Sequence, residues 1–194
     1  MGILRLRTLQ HGDWRRPTLR AQRLRWAWLL AFPFLVLSRP SPRGLLIGAL
    51  ISFAGLLLRA WAAGFIHKDQ LLAVGGPYAR LRHPLYVGSF LLGLGLALAG
   101  GRVWIPVVFL CLFAWLYRRT ILVEEAELAR RFGKDYESYR GRVPPFFPRL
   151  LPHPTSPPSP PFQRWLYRRN KEWQAALGVL VGYGLLWAKM CFPL

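Results

Sequence analysis

The apolar residues of this 194-residue chain are gathered in five long blocks. The blocks cover residues 26–37, 44–66, 85–100, 103–117 and 173–192. A helix needs about twenty apolar residues to cross a bilayer, so blocks 44–66 and 173–192 are long enough as they stand. The pattern predicts an all-α, polytopic integral membrane protein with about five transmembrane helices and a cytoplasmic helical segment.

The three shorter blocks need separate arguments. Blocks 85–100 and 103–117 are separated only by Gly101 and Arg102, which predicts a tight helical hairpin. Block 26–37 contains Pro33 and has the length of a signal-peptide core, but no small-residue cleavage site follows it. We therefore predict a first, kinked helix there, joined to the next span by a turn.

The net charge of +19 is distributed very unevenly. Seven basic residues precede the first block, three lie between the second and third, and twelve lie between the fourth and fifth, whereas the opposite side holds only Arg39, Arg43 and Arg102. A basic chain can bind nucleic acid, but this asymmetry follows the positive-inside rule for a multi-pass protein with a cytoplasmic N-terminus. The charge thus predicts topology and no nucleic-acid partner.

The composition divides the chain into four parts. We predict a basic cytoplasmic N-terminus over 1–25, a transmembrane core over 26–150, a proline-rich and basic interfacial linker over 151–172, and a C-terminal transmembrane helix over 173–194. Within the core, a cytoplasmic helix over 120–132 should end at Gly133 and a short one over 134–140 at Gly141. Cys111 and Cys191 lie in apolar blocks without ligand-like spacing, so no metal site is predicted.

Small residues recur at four-residue spacing within three of the blocks. They are Gly44, Gly48 and Ser52, then Ser89, Gly93 and Ala97, then Gly178 and Gly182. Such spacing allows membrane helices to approach closely. We interpret these residues as packing positions without a catalytic role.

The first candidate site is a glycine-proline turn that leads into the third block, over residues 75–86. Pro84 is expected at the first helical position, where its missing N–H costs nothing. The free N–H groups of that helix start, together with Arg80 and Arg82, would form an electropositive corner suited to a carboxylate. The alternative is an ordinary helix start whose arginines reach towards the membrane surface.

The second candidate site is the pair Glu124 and Glu125. A helical projection puts Glu125 within the apolar stripe of Ile121 and Leu128, while Glu124 flanks that stripe. An inward-facing acid at a membrane surface indicates function by default. A structural contact between Glu125 and Arg118, two turns earlier, is the alternative.

Together these residues suggest a family. Gly76-Pro77-Tyr78, Arg82-His83-Pro84-x-Tyr86-x-Gly88, Glu124-Glu125, Phe132-Gly133-x-x-Tyr136-x-x-Tyr139 and Val143-Pro144 closely resemble the isoprenylcysteine carboxyl methyltransferase family, which is related to the phospholipid N-methyltransferases. The resemblance covers about residues 55–150. It implies that S-adenosylmethionine binds among helix ends facing the cytoplasm, in agreement with the lack of a Gly-x-Gly-x-x-Gly motif. By the same resemblance, the cofactor contacts fall on Gln70, Leu71, Leu72, Ala73, Tyr78, His83, Pro84, Leu85, Tyr86 and Glu124.

The chain departs from the family at Thr120, where the prenylcysteine enzymes have an arginine thought to meet the substrate carboxylate. A carboxylate acceptor needs a cation, for which Arg118, Arg119 or Arg82 would serve. An amine acceptor must first lose a proton, and Glu125 would be the base.

The favoured hypothesis is a carboxyl O-methyltransferase that acts on a lipid-bearing or prenylated acceptor among membrane lipids. A phospholipid or lipid-amine N-methyltransferase is the first alternative. A non-catalytic membrane scaffold is the second. The oligomeric state stays open.

Overall fold

The structure is a computed structural model that describes residues 31–66, 72–149, 151 and 161–192. The regular structure of these residues is helical, without strands, which confirms the predicted all-α fold. Residues 31–37 are helical and belong to a separate compact unit. The basic N-terminus, residues 26–30 of the predicted first span, and residues 152–160 of the proline-rich linker lie outside the described residues.

Six α-helices form the described part of the unit that begins at Ser38. They are α1 (Pro42–Ala63), α2 (Pro84–Ala99), α3 (Trp104–Phe132), α4 (Lys134–Arg142), α5 (Arg164–Arg169) and α6 (Trp173–Cys191), with a 3-10 turn at Gly76–Ala79. By length and composition α1, α3 and α6 can each cross a membrane, and α2 is a shorter apolar helix of 16 residues. These helices fit a polytopic membrane protein, and α2 and α3 form the predicted hairpin.

Helices α1 and α2 pack through small residues. An added Cβ at Gly48 would collide with the carbonyl oxygen of Gly95, and one at Gly55 would lie 2.7 Å from that of Gly88. The buried residues of α1 are all small, whereas its large apolar side chains are exposed, namely Leu46, Ile47, Leu50, Phe53 and Leu57. This inside-out distribution is expected where lipid covers the outer surface and small residues bring backbones together.

The helix face used by α2 differs in part from the predicted one. Gly88 and Gly95, two turns apart, face α1, whereas Gly93 faces the ring of Phe109 in α3. The four-residue pattern correctly indicated that α2 packs closely against other helices. It did not indicate which of its small residues face α1 and which face α3. Gly178 was also predicted to pack, yet a Cβ there would meet nothing within 4 Å among the described atoms.

Helix α3 is longer than predicted, because the expected span 103–117 and the expected helix 120–132 form one continuous element. Its 29 residues extend about 43 Å, against a hydrocarbon thickness of about 30 Å. Glu124 and Glu125 therefore sit on a rigid extension of a membrane helix. The helix ends at Gly133, as predicted, where φ is 51°.

Helix α4 does not end at Gly141 as predicted, and continues to Arg142. The helix stops at Val143 because this residue precedes Pro144, and helical backbone angles are unfavourable for a residue followed by proline. Val143 accordingly has extended angles, with φ −113° and ψ 124°.

The segment after α4 returns to pair with the segment before α2. The N–H of Arg82 donates to the carbonyl of Pro144 at 2.8 Å, and that of His83 donates to Pro145 at 3.2 Å. In the opposite direction, the N–H of Arg149 donates to the carbonyl of Arg80 at 3.0 Å. These bonds fix the start of α2 beside the end of α4.

The α1–α2 contact predicts opposite outcomes for two identical substitutions. Gly48→Ala should destabilise the protein by about 1–3 kcal/mol, because the new methyl group has no space between two backbones. Gly178→Ala, which meets open space in a helix, should be neutral or stabilising by up to about 1 kcal/mol. Thermal unfolding in detergent measures both, and equal melting temperatures for the two variants would contradict the packing.

Candidate functional site

The turn before α2 is built around glycine. Gly76 has a φ of +56°, and a Cβ there would press against the ring of Phe65. The turn buries Tyr78, and the chain then enters α2 with Pro84 at its first residue, as predicted. Backbone conformation and lack of space both call for glycine at position 76.

A buried charge cluster, made of Arg82, His83 and Glu125, joins this turn to α3. Arg82 NH1 lies 2.5 Å from Glu125 Oε1, and His83 Nε2 lies 2.9 Å from the same oxygen. The side chains of Arg82 and Glu125 are each 10% exposed and that of His83 is 4% exposed. Arg140 of α4 approaches the other carboxylate oxygen at 3.8 Å. Basic side chains from two elements therefore lie around the Glu125 carboxylate.

This geometry gives Glu125 the inward position predicted for it, with different partners. The neighbouring arginine is Arg82, from a distant part of the sequence, while Arg118 is exposed. Because Arg82 forms an ion pair with Glu125, its positive charge is neutralised locally. Glu127 is exposed and pairs with Arg130 one turn along α3, which agrees with a solvated surface charge.

Two tyrosines of α4 cover the cluster. The Tyr139 hydroxyl donates to the carbonyl of Tyr78 at 2.8 Å, and the side chain of Tyr136 is fully buried. Burial raises the pKa of Tyr136, and the Glu125 carboxylate raises it further, whereas Arg82 lowers it. The hydroxyl of Tyr136 lies close to Arg82. Among the described residues, neither that hydroxyl nor Arg82 Nε has a hydrogen-bond partner.

The other acid, Glu124, is exposed on the same extension of α3. The Tyr86 side chain lies close enough to its carboxylate for the two groups to interact. The ring of Tyr86 lies 5.7 Å from that of His83 and 5.2 Å from that of Tyr117. An acid and three aromatic rings therefore surround one end of α2.

An aromatic row continues from this point along α2 and α3. We use that name for Tyr86, Phe90, Phe109, Phe113 and Tyr117. The rings of Phe113 and Tyr117 are stacked at 3.9 Å, and Phe90 meets Phe113 edge to face at 5.2 Å. The row provides an apolar surface that begins at the two acids.

The structure brings together most residues singled out in the sequence. Around the end of α2 it collects Tyr78, Arg82, His83, Pro84, Leu85, Tyr86, Glu124 and Glu125. Leu72 and Ala73 are half-buried in the segment before the turn, and Gln70 and Leu71 lie outside the described residues.

Arg118 and Arg119, which directly precede Thr120, are both exposed. The guanidinium of Arg119 lies 5.6 Å from the ring centre of Trp115, one turn back along α3. Arg118, two turns before Glu125, lies at nearly the same helical phase of α3 as that acid. The Thr120 hydroxyl donates to the carbonyl of Leu116 at 3.0 Å.

Three residues near the site had no role predicted from the sequence, although Tyr136 belongs to the family motif. Arg140 and Tyr136 lie in α4 close to Glu125, and Arg59 contacts the first turn of α2. The available signal for Arg59 was a basic residue inside an otherwise apolar span. Among the described residues, no group of three or more His, Cys, Asp or Glu side chains could hold a metal ion.

The buried cluster predicts a large effect of a small substitution. Glu125→Gln should destabilise the protein by about 3 kcal/mol, because it leaves Arg82 buried without its counter-charge. Glu127→Gln removes the same group from an exposed pair and should change stability by less than about 0.5 kcal/mol. Unfolding in detergent compares them, and equal stabilities would contradict the burial of the cluster.

Comparisons with known proteins relate this chain to methyltransferases. Residues 45–135 match the phospholipid methyltransferase family. The chain is 40% identical over 86 residues to the protein-S-isoprenylcysteine O-methyltransferase of Schizosaccharomyces pombe, covering 44% of this chain and 36% of the relative. No solved structure matches.

Two bacterial proteins are similar to the same degree. The cobalt-zinc-cadmium resistance protein CzcN of Cupriavidus metallidurans is 37% identical over 112 residues, covering 57% of this chain and 51% of the relative. The nickel-cobalt-cadmium resistance protein NccN of Alcaligenes xylosoxydans xylosoxydans is 36% identical over 94 residues, covering 47% and 44%. The chain thus spans between about a third and half of the length of these relatives.

The matched region, residues 45–135, contains all but the first three residues of α1, the whole of α2 and α3, the glycine-proline turn and both acids. The family match and the similarity to an isoprenylcysteine methyltransferase agree with the resemblance predicted from the order of the motifs. The predicted resemblance is confirmed, because residues 45–135, just under half of the chain, match the phospholipid methyltransferase family.

Proposed function

We propose that this protein is an integral membrane, S-adenosylmethionine-dependent carboxyl O-methyltransferase, acting on a lipid-bearing acceptor at the cytoplasmic face. The observation that carries the choice of acceptor is the engagement of Glu125 with Arg82 and His83. The similarity to a protein-S-isoprenylcysteine O-methyltransferase supports the same choice.

The residues around the start of α2 fit the proposed cofactor. The cofactor would supply a methyl group activated on a cationic sulfur. The rings of His83, Tyr86 and Tyr117 are suited to a cation, which is attracted to aromatic faces. The exposed carboxylate of Glu124 is suited to the ammonium or hydroxyl groups of the same molecule. We assign Leu72, Ala73, Tyr78, Pro84 and Leu85, with Gln70 and Leu71, to the same binding region by family resemblance.

The state of Glu125 bears on which acceptor is used. Methylation of an amine requires a base that removes a proton, and a base must have a free lone pair near the acceptor. Glu125 is buried, and one of its oxygens already accepts from two cationic or imidazole groups. Its role in this proposal is to hold Arg82 and His83 in place.

A carboxylate acceptor needs no base. Its oxygen forms the new bond to the methyl carbon as the carbon–sulfur bond breaks, the electron pair stays on sulfur, and no proton moves. The protein must only hold the attacking oxygen in line with the carbon–sulfur bond and offer a cation to the carboxylate. That cation must leave the attacking lone pair free. Of the candidates, Arg82 is paired with Glu125 and Arg119 is stacked on Trp115. Arg118 is the cation we assign to the acceptor carboxylate.

The lipid part of the acceptor would lie along the aromatic row. These side chains join the two acids to the apolar faces of α2 and α3, so a prenyl or acyl tail could stay out of water while its head group reaches the site. The acceptor would then enter from the bilayer and the cofactor from the aqueous side.

The cytoplasmic location of the site rests on charge. The predicted loops on the side of the site carry most of the basic residues, as the positive-inside rule requires. Helix α4 and the segment around α5, both rich in arginine, extend from the same ends of the membrane helices. We therefore propose that the N-terminus and the site face the cytoplasm.

The second candidate function is a phospholipid or lipid-amine N-methyltransferase, which the family match to phospholipid methyltransferases favours. It shares the cofactor residues and differs in needing a base. A non-catalytic scaffold would lack saturable cofactor binding.

Cofactor binding tests the enzyme proposals together. Glu124→Ala should weaken S-adenosylmethionine binding about 10–100-fold, because a hydrogen bond to a charged group is lost. Calorimetric titration of detergent-solubilised protein measures this, with Glu127→Ala, an exposed acid one turn away, as the matched control. Unchanged binding in Glu124→Ala would remove that residue from the site, and no saturable binding in the wild type would favour the scaffold.

The acceptor cation can be identified with two neighbouring arginines. Arg118→Ala should raise the KM of a farnesylcysteine analogue about 10–100-fold, since the carboxylate loses its ionic partner. Arg119→Ala should leave this KM near the wild-type value, because its side chain lies against Trp115. Steady-state kinetics at saturating cofactor compare the two. The reverse order would assign the role to Arg119.

A further inference from the structure

A second, partly buried ion pair joins α1 to Glu172, the N-cap residue of the last membrane helix. Arg59 Nε donates to Glu172 Oε2 at 2.9 Å, and its NH2 donates to Oε1 at 3.0 Å. The side chains are 19% and 9% exposed. This two-point contact fixes the plane of the guanidinium, which a single bond would leave free to rotate.

The remaining nitrogen of Arg59 reaches the first turn of α2. Its NH1 donates to the hydroxyl of Ser89 at 2.5 Å and to the carbonyl of Leu85 at 3.3 Å. The Ser89 hydroxyl in turn donates to the Leu85 carbonyl at 2.8 Å. Arg59 therefore holds the backbone at Leu85 directly and through one side chain.

The path of Arg59 across α2 depends on glycine. A Cβ at Gly88 would lie 2.5 Å from Cγ of Arg59 and 3.0 Å from the carbonyl oxygen of Gly55. The glycine lets the arginine stem lie flat against the helix. Its small size thus serves this contact as well as the approach of the two backbones.

The segment that carries Glu172 is anchored beside the same end of α1. The Asn170 side chain donates to the carbonyl of Ala63 at 3.0 Å, and the N–H of Gln163 donates to the carbonyl of Gly64 at 3.0 Å. Lys171 has a φ of +56°, which is unfavourable for a residue with a side chain. Such a conformation persists only where neighbouring contacts impose it, and here it directs Glu172 at Arg59.

We infer that Arg59 and Glu172 are positioning residues, through which the C-terminal helix α6 holds the first turn of α2 in the conformation that binds the cofactor. Leu85 lies between Pro84 and Tyr86, which we assign to cofactor binding. The expected effect on cofactor binding therefore rests on the proposed function. The pair lies partly outside the family match, which ends at residue 135. Helix α6 is then more than a packing element.

Three measurements on Glu172→Gln test this role. Without its carboxylate partner the guanidinium should turn away from α2, so amide hydrogen exchange over residues 84–90 should become faster in cofactor-free protein. The dissociation constant of S-adenosylmethionine should rise about tenfold or more. The KM for cofactor should rise while kcat at saturating cofactor stays near the wild-type value. Glu127→Gln, which breaks an exposed Arg–Glu pair, is the control and should change none of these.

A double variant separates positioning from stability. Arg59→Met with Glu172→Leu removes both charges together, which keeps the stem that packs on Gly88 and leaves no unpaired charge. Its melting temperature should be close to that of the wild type, but cofactor affinity should stay low, because nothing then holds Leu85 and Ser89. Recovery of affinity in this variant would overturn the positioning role.

Failure of the positioning role can be distinguished from failure of the proposed function. A wild-type protein that binds no S-adenosylmethionine would contradict the methyltransferase proposal. The exchange rates over residues 84–90 would still decide whether the ion pair orders α2. Unchanged exchange in Glu172→Gln would overturn the inference even if the wild type binds the cofactor.

Discussion

The carboxylate of Glu125 is the interaction on which the rest of the site depends. It lies on α3 and contacts Arg82 and His83, more than forty positions earlier in the chain. A buried acid without a partner would be very costly, and so would a buried arginine. Each group therefore requires the other, and the start of α2 is held against the extension of α3. The motif residues on either side are placed by this contact.

Two features of the membrane helices make that contact possible. Glycines at the α1–α2 contact bring backbones close enough for Arg59 to reach Leu85 and Ser89. Helix α3 continues past the hydrocarbon region without a break, so its acids have a fixed direction. Ion pairs at Glu125 and at Arg59 then hold the first turn of α2 from two sides. The proposed cofactor site is in this sense a product of helix packing.

Much of this could be predicted from the sequence, because hydrophobic blocks and motif order are local signals. The helical class, the hairpin, Pro84 at its helix start and the inward position of Glu125 are examples. The partner of Glu125 could not be predicted, since ion pairing between distant segments leaves no periodic trace. The end of α4 differs from the prediction because Val143, the residue before Pro144, stops the helix more strongly than Gly141 does.

The most direct test of the proposed chemistry is transfer of a labelled methyl group from S-adenosylmethionine to a farnesylcysteine analogue and to phosphatidylethanolamine, side by side. Mild base then distinguishes the products, because a methyl ester releases its label as methanol and an N-methyl group does not. We expect base-labile label on the farnesylcysteine analogue, since Glu125 is engaged with Arg82 and His83 and a carboxylate acceptor needs no base. Base-stable label on phosphatidylethanolamine alone would contradict the carboxyl assignment.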